Sequence, residues 1–94
     1  MEIFKQIAPL KAFLKDLKRQ GKAIGLVPTM GALHAGHVSL VKACKAANHI
    51  TVSSIFVNPI QFNNQNDLLK YPRNIDQDVE LLKKVGCDAV FCPD

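Results

Sequence analysis

Two histidines three residues apart, His34 and His37, are the side chains best suited to chemistry in this sequence of 94 residues. An imidazole can donate a hydrogen bond to a phosphate oxygen or move a proton near neutral pH. Gly36 lies between them and Gly31 precedes them, and a glycine allows the backbone to approach a ligand closely. The spacing indicates a site for an anion, and the alternative is a tight turn that carries two surface histidines.

The histidines lie where a strand is predicted to end and a helix to begin. Residues 23–27 form an apolar run typical of a buried strand, and residues 36–47 have apolar side chains at helical spacing. A helix N-terminus offers unpaired N–H groups and a partial positive charge, which both favour a phosphate. Ligands of open α/β sheets bind at the carboxyl ends of strands. This context favours a nucleotide-phosphate site over a simple turn.

The rest of the chain alternates apolar runs with amphipathic segments. The alternation predicts a parallel sheet with right-handed crossovers and flanking helices, an α/β architecture. Helices are predicted over residues 8–20, 36–47 and 75–85, and strands over residues 1–4, 23–27, 50–57 and 88–92. Residues 59–70 are rich in Asn and Gln, and because they follow a strand we expect them beside the histidine loop.

Composition limits the class of protein. A hydrophobic fraction of 48% and a net charge of +4 suit one small globular domain. The basic residues are dispersed without aromatic interleaving, so we expect no nucleic-acid partner. No apolar run is long enough for a membrane span and no secretory signal begins the chain, so we expect a cytoplasmic protein with no membrane partner. The cysteines lack metal-ligand spacing, so we expect buried thiols and no metal site: Cys44, Cys87 and Cys92.

Three strings in this sequence resemble the signatures of one enzyme family. PTMGALHAGH at Pro28–His37 resembles the nucleotide-binding signature of the pantothenate synthetases (pantoate–β-alanine ligases), members of the nucleotidyltransferase superfamily with a HIGH-type motif. SIFVNPIQF at residues 54–62 and DLLKYPR at residues 67–73 resemble two further signatures. The resemblance covers residues 21–94. It implies a Rossmann-like parallel sheet, of which residues 1–94 would be the N-terminal part, with the C-terminal lid domain absent.

The resemblance also implies a reaction. The family joins pantoate to β-alanine with ATP through a pantoyl adenylate, and it releases AMP and pyrophosphate. The implied cofactors are ATP and Mg²⁺, with the metal held mainly through the ATP phosphates. Because the sequence stops short of the family's length, we expect the isolated chain to be inactive. A truncated parallel sheet leaves an exposed edge, so we also expect a homodimer or other self-association.

Residue roles follow from the same resemblance. His34 and His37 are assigned to catalysis, with His37 as the proton donor. Asp76 and Asp78 fall in the first turn of a predicted helix, near where the family binds magnesium and phosphate, but we expect no metal ligand from this chain. The residues expected to bind ATP are Met30, Gly31, Ala32, Leu33, His34, Ala35, Gly36 and His37. The residues expected to bind the substrates are Gln61, Pro28, Thr29, Met30, Asn58 and Phe62.

Two other functions fit part of the sequence. A nucleotidyltransferase of the same superfamily with another substrate would share the histidine loop but has no reason to carry NPIQF at residues 58–62. A catalytically incompetent nucleotide-binding fragment would bind ATP without pantoate. Pantoate binding that depends on Gln61 would distinguish the ligase from both alternatives.

Overall fold

Four strands form one parallel sheet in the computed structural model, which describes residues 1–56 and 75–93. All three strand pairings are parallel, which confirms the predicted α/β architecture. The strand order is β1-β4-β3-β2, and the strands are β1 (Glu2–Phe4), β2 (Ile24–Thr29), β3 (Ile50–Ile55) and β4 (Ala89–Phe91). The described helices are α1 (Ile7–Arg19), α2 (Ala35–Ala47) and α3 (Ile75–Lys84).

The observed elements agree with the predicted ones to within about two residues at most ends. β2 continues to Thr29 and so includes Pro28, although the prediction ended this strand at residue 27. Proline cannot donate a sheet hydrogen bond, and it is tolerated here because β2 is an edge strand among the described strands. β3 ends at Ile55, which is earlier than predicted, and residue 57 lies outside the described residues.

The main core lies between the sheet and the helices α2 and α3. Leu82 of α3 and Val41 of α2 are almost fully buried against the strands. Apolar periodicity along each helix places these side chains on one face, and the facing strands supply alternate residues. The buried cluster comprises Val27, Val41, Ile55, Leu82, Cys87, Val90 and Cys92. Cys87 and Cys92 are buried as the sequence predicts, whereas Cys44 is only half-buried, and none of the three forms a disulfide.

The opposite face of the sheet is only partly covered by α1. The rings of Phe4 and Phe13 lie 5.2 Å apart and fix α1 against β1. Towards β2 the same face leaves an apolar groove of about 240 Å³. Leu26 of β2 is 62% exposed there. The groove is lined by Leu10, Leu14, Ile24, Leu26, Val52, Ser54 and Phe91. None of the described helices combines the length and the apolar character needed to cross a bilayer.

Candidate functional site

The loop between β2 and α2 is tied to the sheet by Thr29. The Thr29 hydroxyl donates to the carbonyl oxygen of Ser54 at 2.8 Å and accepts the N–H of Gly31 at 3.2 Å. The Thr29 side chain is only 8% exposed. These two bonds use the hydroxyl to fix where the strand ends and the loop begins. The Thr29 hydroxyl thus already has two partners in this structure. The predicted contact between Thr29 and a substrate stays a prediction.

The loop then turns through two residues in the left-handed region. Gly31 has φ +85° and Ala32 has φ +52°. Ala32 is the one non-glycine residue with positive φ among the residues that the structure describes. The positive φ of Gly31 favours glycine, and a Cβ there would make a tight contact of 3.2 Å with Asp78 Oδ2. Successive amides in such a turn point to one side and form a concavity that binds anions.

An internal carboxylate occupies this concavity. Asp78 Oδ2 accepts the N–H of Ala32 at 3.0 Å, and Asp78 Oδ1 accepts the N–H of Leu33 at 2.9 Å. Asp78 belongs to α3 and is only 5% exposed. The sequence predicts a position near the helix dipole for Asp78 but not this role. A signal was present, because Asp78 lies three residues after Ile75 and four before Leu82, on the helix face that is otherwise apolar.

The two histidines form a reciprocal cap on α2. His34 Nδ1 accepts the N–H of Gly36 at 3.0 Å, and His37 Nδ1 accepts the N–H of His34 at 3.2 Å. The ring centroids lie 4.3 Å apart. A neutral imidazole has one acceptor and one donor nitrogen, so both rings carry their proton on Nε2. Neither Nε2–H has a partner in the described part of the chain, so both remain as donors for a ligand.

Gly36 is needed for this cap for a reason that the sequence did not reveal. A Cβ at position 36 would lie 2.8 Å from His34 Cε1 and 3.1 Å from His34 Nδ1. To avoid the clash, the His34 ring would have to move away and lose the hydrogen bond that it accepts from the Gly36 N–H. The glycine between the histidines therefore allows the first ring to lie over the first turn of the helix.

The electrostatic surroundings keep His37 neutral. Partial burial lowers the pKa of the His37 imidazole below its ordinary value, and the adjacent His34 lowers it further, while the Asp78 carboxylate opposes both effects. A neutral His37 retains Nδ1 as an acceptor for the helix cap. At neutral pH the site therefore presents a neutral His37 imidazole whose Nε2–H can donate a hydrogen bond.

The amides of the loop differ from what the sequence predicts. The strand-to-helix position predicts unpaired backbone N–H groups for a phosphate. In the structure five of these N–H groups donate to side-chain acceptors. The prediction that they are unpaired is therefore wrong for these five. Contacts of the same residues with ATP through other atoms stay a prediction. The five belong to Gly31, Ala32, Leu33, His34 and Gly36.

The described part of the structure does not bring the remaining predicted site residues together into one site. Met30 is half-buried beside the loop, Ala35 is exposed at the start of α2, and Pro28 is exposed on β2. Within residues 1–56 and 75–93 no cluster of three or more His, Cys, Asp or Glu side chains could hold a metal ion. The predicted substrate contacts that lie outside the described residues are Asn58, Gln61 and Phe62.

The sequence matches one family of known proteins along nearly its whole length. The family model described as pantoate-beta-alanine ligase matches residues 2–94. Pantothenate synthetase of Phocaeicola vulgatus is 58% identical over 93 residues, which cover 99% of this chain and 33% of that protein. Pantothenate synthetase of Bacteroides fragilis is 56% identical over the same shares of the two chains.

Solved structures give the same result. The pantoate-β-alanine ligase of Francisella tularensis, solved in complex with "Beta-gamma ATP" and β-alanine, matches with a TM-score of 0.92 and 45% identity, covering 99% of this chain and 35% of that one. Pantothenate synthetase of Thermus thermophilus matches with a TM-score of 0.88 and 40% identity, covering 100% of this chain and 32% of that one. The chain thus spans about a third of the length of the relatives it matches.

The histidine cap predicts a loss of stability in mild acid. With the folded-state pKa of His37 lowered, the unfolded chain binds the proton more readily, so the stabilisation is present above about pH 6.5 and is lost as pH falls through the folded value. Protonation also removes Nδ1 as an acceptor. We expect a loss of about 1 kcal/mol, the usual cost of losing a helix cap, between pH 7.5 and 5.0 in urea denaturation followed by circular dichroism.

The double variant His34→Asn/His37→Gln is the matched control. Asn is a preferred N-cap residue and Gln at the third helical position completes a capping box, yet neither titrates in this range. The variant should lose much less stability over the same pH interval. Equal losses in both proteins would contradict the capping account.

Proposed function

The chain belongs to the pantoate–β-alanine ligase family, and we propose that the whole protein condenses pantoate with β-alanine using ATP. The observation that supports this most directly is the imidazole pair with two Nε2–H donors on a signature loop, in a chain 45% identical to a ligase solved with an ATP compound and β-alanine. The fold is that of the HIGH-class nucleotidyltransferases. The expected inactivity of the isolated chain and its cytoplasmic location stay predictions.

The first chemical step is the activation of a carboxylate. The pantoate carboxylate oxygen attacks the α-phosphorus of ATP, the bond from that phosphorus to the bridging oxygen breaks, and pyrophosphate leaves. Negative charge develops on the phosphate oxygens in this transition state. Donors fixed in advance stabilise such charge most effectively, because they need no reorganisation during the reaction. His34 and His37, held by the cap, supply two such donors.

The second step forms the amide. The amine of β-alanine attacks the acyl carbon of the adenylate, the bond from that carbon to the phosphate oxygen breaks, and AMP leaves while the amine loses a proton. No protein nucleophile is required, so catalysis rests on positioning and charge stabilisation. The lowered pKa of His37 disfavours its imidazolium form. In this mechanism His37 therefore donates a hydrogen bond from a neutral Nε2–H, and the proton-donor role that the resemblance implies is replaced by that hydrogen bond.

Magnesium would accompany ATP rather than bind a protein cage. Both carboxylate oxygens of Asp78 are engaged by backbone N–H groups, so the residue does not fit a metal ligand in this structure. Mg²⁺ characteristically binds substrate phosphates and water with few protein ligands. We therefore assign the metal to the ATP phosphates and derive no step through it.

Pantoate and β-alanine are assigned to the segment after β3. The glutamine Gln61 offers two donors and an acceptor, which suit a substrate with hydroxyls and a carboxylate. Asn58 and Phe62 complete the predicted contacts. A nucleotidyltransferase with another substrate, or a nucleotide-binding fragment, remains the alternative and would have no use for these side chains.

We further propose that this chain self-associates through its β2 edge. β2 has one neighbour among the described strands, and such edges pair with other chains. The groove beside it presents Leu26 to solvent. A second copy of the chain would cover both the edge and the groove.

Calorimetric titration tests the ligase proposal. The chain should bind Mg-ATP and pantoate separately, and Gln61→Ala should weaken pantoate about tenfold, the usual effect of losing a hydrogen bond to a charged ligand. His37→Gln, which keeps the cap, should weaken Mg-ATP by a similar factor.

The matched controls are Gln65→Ala and His49→Gln, which change the same residue types elsewhere. Both should bind the two ligands like the wild type. Pantoate binding that is insensitive to Gln61→Ala would contradict the assignment of that residue. Mg-ATP binding without any pantoate binding would favour the nucleotide-binding fragment.

Sedimentation velocity tests the self-association. Leu26→Lys should raise the dissociation constant of the oligomer about tenfold or more, because a charge replaces an apolar side chain that would be buried. Leu40→Lys is the matched control, since Leu40 is similarly exposed but belongs to α2 on the other face of the sheet. A monomeric wild type, or equal effects of the two variants, would contradict the proposal.

A further inference from the structure

Asp78 is a carboxylate buried beside an anion site, which is an unfavourable place for a negative charge unless it is hydrogen-bonded. The side chain is 5% exposed, and each of its two oxygens accepts one loop amide. It lies 46 residues along the chain from Ala32. The carboxylate therefore links α3 to the loop between β2 and α2.

The conformation of the loop depends on this link. Ala32 is held at φ +52°, a region that costs a residue with a Cβ free energy and persists only where the surroundings enforce it. The Asp78 oxygens supply that enforcement by accepting the amides of Ala32 and Leu33. The next amide, that of His34, donates to the His37 ring within the helix cap. The position of the first imidazole thus follows directly from the segment that Asp78 holds.

We propose that Asp78 is a positioning residue of the nucleotide site, whose carboxylate binds the loop amides from inside and so fixes the imidazole pair before a phosphate arrives. This inference rests on the proposed function. It makes the site different in kind from a loop whose backbone amides cradle phosphate, because those amides are already bonded here. Phosphate is left to the Nε2–H groups of His34 and His37.

The charge of Asp78 provides a way to separate positioning from simple electrostatics. The carboxylate lies close enough to His37 to raise the pKa of its imidazole, although burial and His34 lower that pKa by more. A negative charge at that range repels phosphate, so removing the charge alone would tighten the binding of an anion. If Asp78 positions the loop, losing its hydrogen bonds should have the opposite effect and weaken the binding of the anion.

The experiment compares Asp78→Asn and Asp78→Ala with the wild-type chain in two measurements. Backbone amide hydrogen exchange by NMR reports the clamp without any ligand, and calorimetry reports the affinity for Mg-ATP. An asparagine has one acceptor oxygen, so its NH₂ group would face one of the two amides. In Asp78→Asn we expect the amides of Ala32 and Leu33 to exchange about tenfold faster, with β3 amides unchanged, and Mg-ATP to bind about tenfold more weakly.

Asp76→Asn is the matched control, since it removes the same charge from the same helix turn at an exposed position. It should leave the exchange of both amides unchanged and should not weaken Mg-ATP binding. Both Asp76→Asn and Asp78→Asn remove one negative charge. A difference between them in amide exchange or Mg-ATP affinity therefore reports the buried contacts of Asp78.

Three outcomes would each contradict one of the claims made for this site. Fast exchange of the Ala32 and Leu33 amides in the wild type would refute the clamp. A folded Asp78→Asn chain that binds Mg-ATP as tightly as the wild type, or more tightly, would refute the positioning role. Wild-type chain that binds no Mg-ATP would count against the proposed function instead, and the exchange measurements would then decide the clamp alone. Should Asp78→Ala fail to fold, Asp78→Asn still carries both measurements.

Discussion

The Asp78 carboxylate is the interaction on which the rest of the site depends. A loop whose amides are shielded from water must satisfy them within the protein, and here the acceptors are side chains from inside the protein. Asp78 takes the amides of Ala32 and Leu33, while Thr29 takes that of Gly31. Once those amides are committed, the surface of the loop offers a ligand mainly imidazole edges. The cap uses Nδ1 of His34 and of His37 and leaves their Nε2 atoms without a partner among the described residues, on a loop that Asp78 and Thr29 fix.

Much of the fold could be predicted because it depends on local pattern. Helix α2 and strand β3 have apolar spacing that is sufficient to identify them, and the strand predicted over residues 1–4 is confirmed as β1. The extension of β2 through Pro28 could not be predicted, since the tolerance of proline depends on which strand lies at the edge of the sheet. That order is a tertiary property.

The site was predicted only in part for a similar reason. The strand-to-helix position of His34 and His37 follows from sequence, and the structure brings the two rings together. Their shared cap and tautomer depend on hydrogen-bond geometry that spacing alone does not give. The contact between Asp78 and Ala32 joins residues far apart in sequence, so no local pattern predicts it. A carboxylate on an apolar helix face was the one available signal.

We infer that the loop presents both imidazoles as Nε2–H donors. Long-range proton–nitrogen NMR of the histidine rings at pH 7.5 tests it most directly, because the coupling pattern distinguishes the two neutral tautomers. We expect His34 and His37 each to carry the proton on Nε2, with Nδ1 unprotonated and accepting a backbone N–H. A proton on Nδ1 of either ring, or rapid averaging between tautomers, would contradict it.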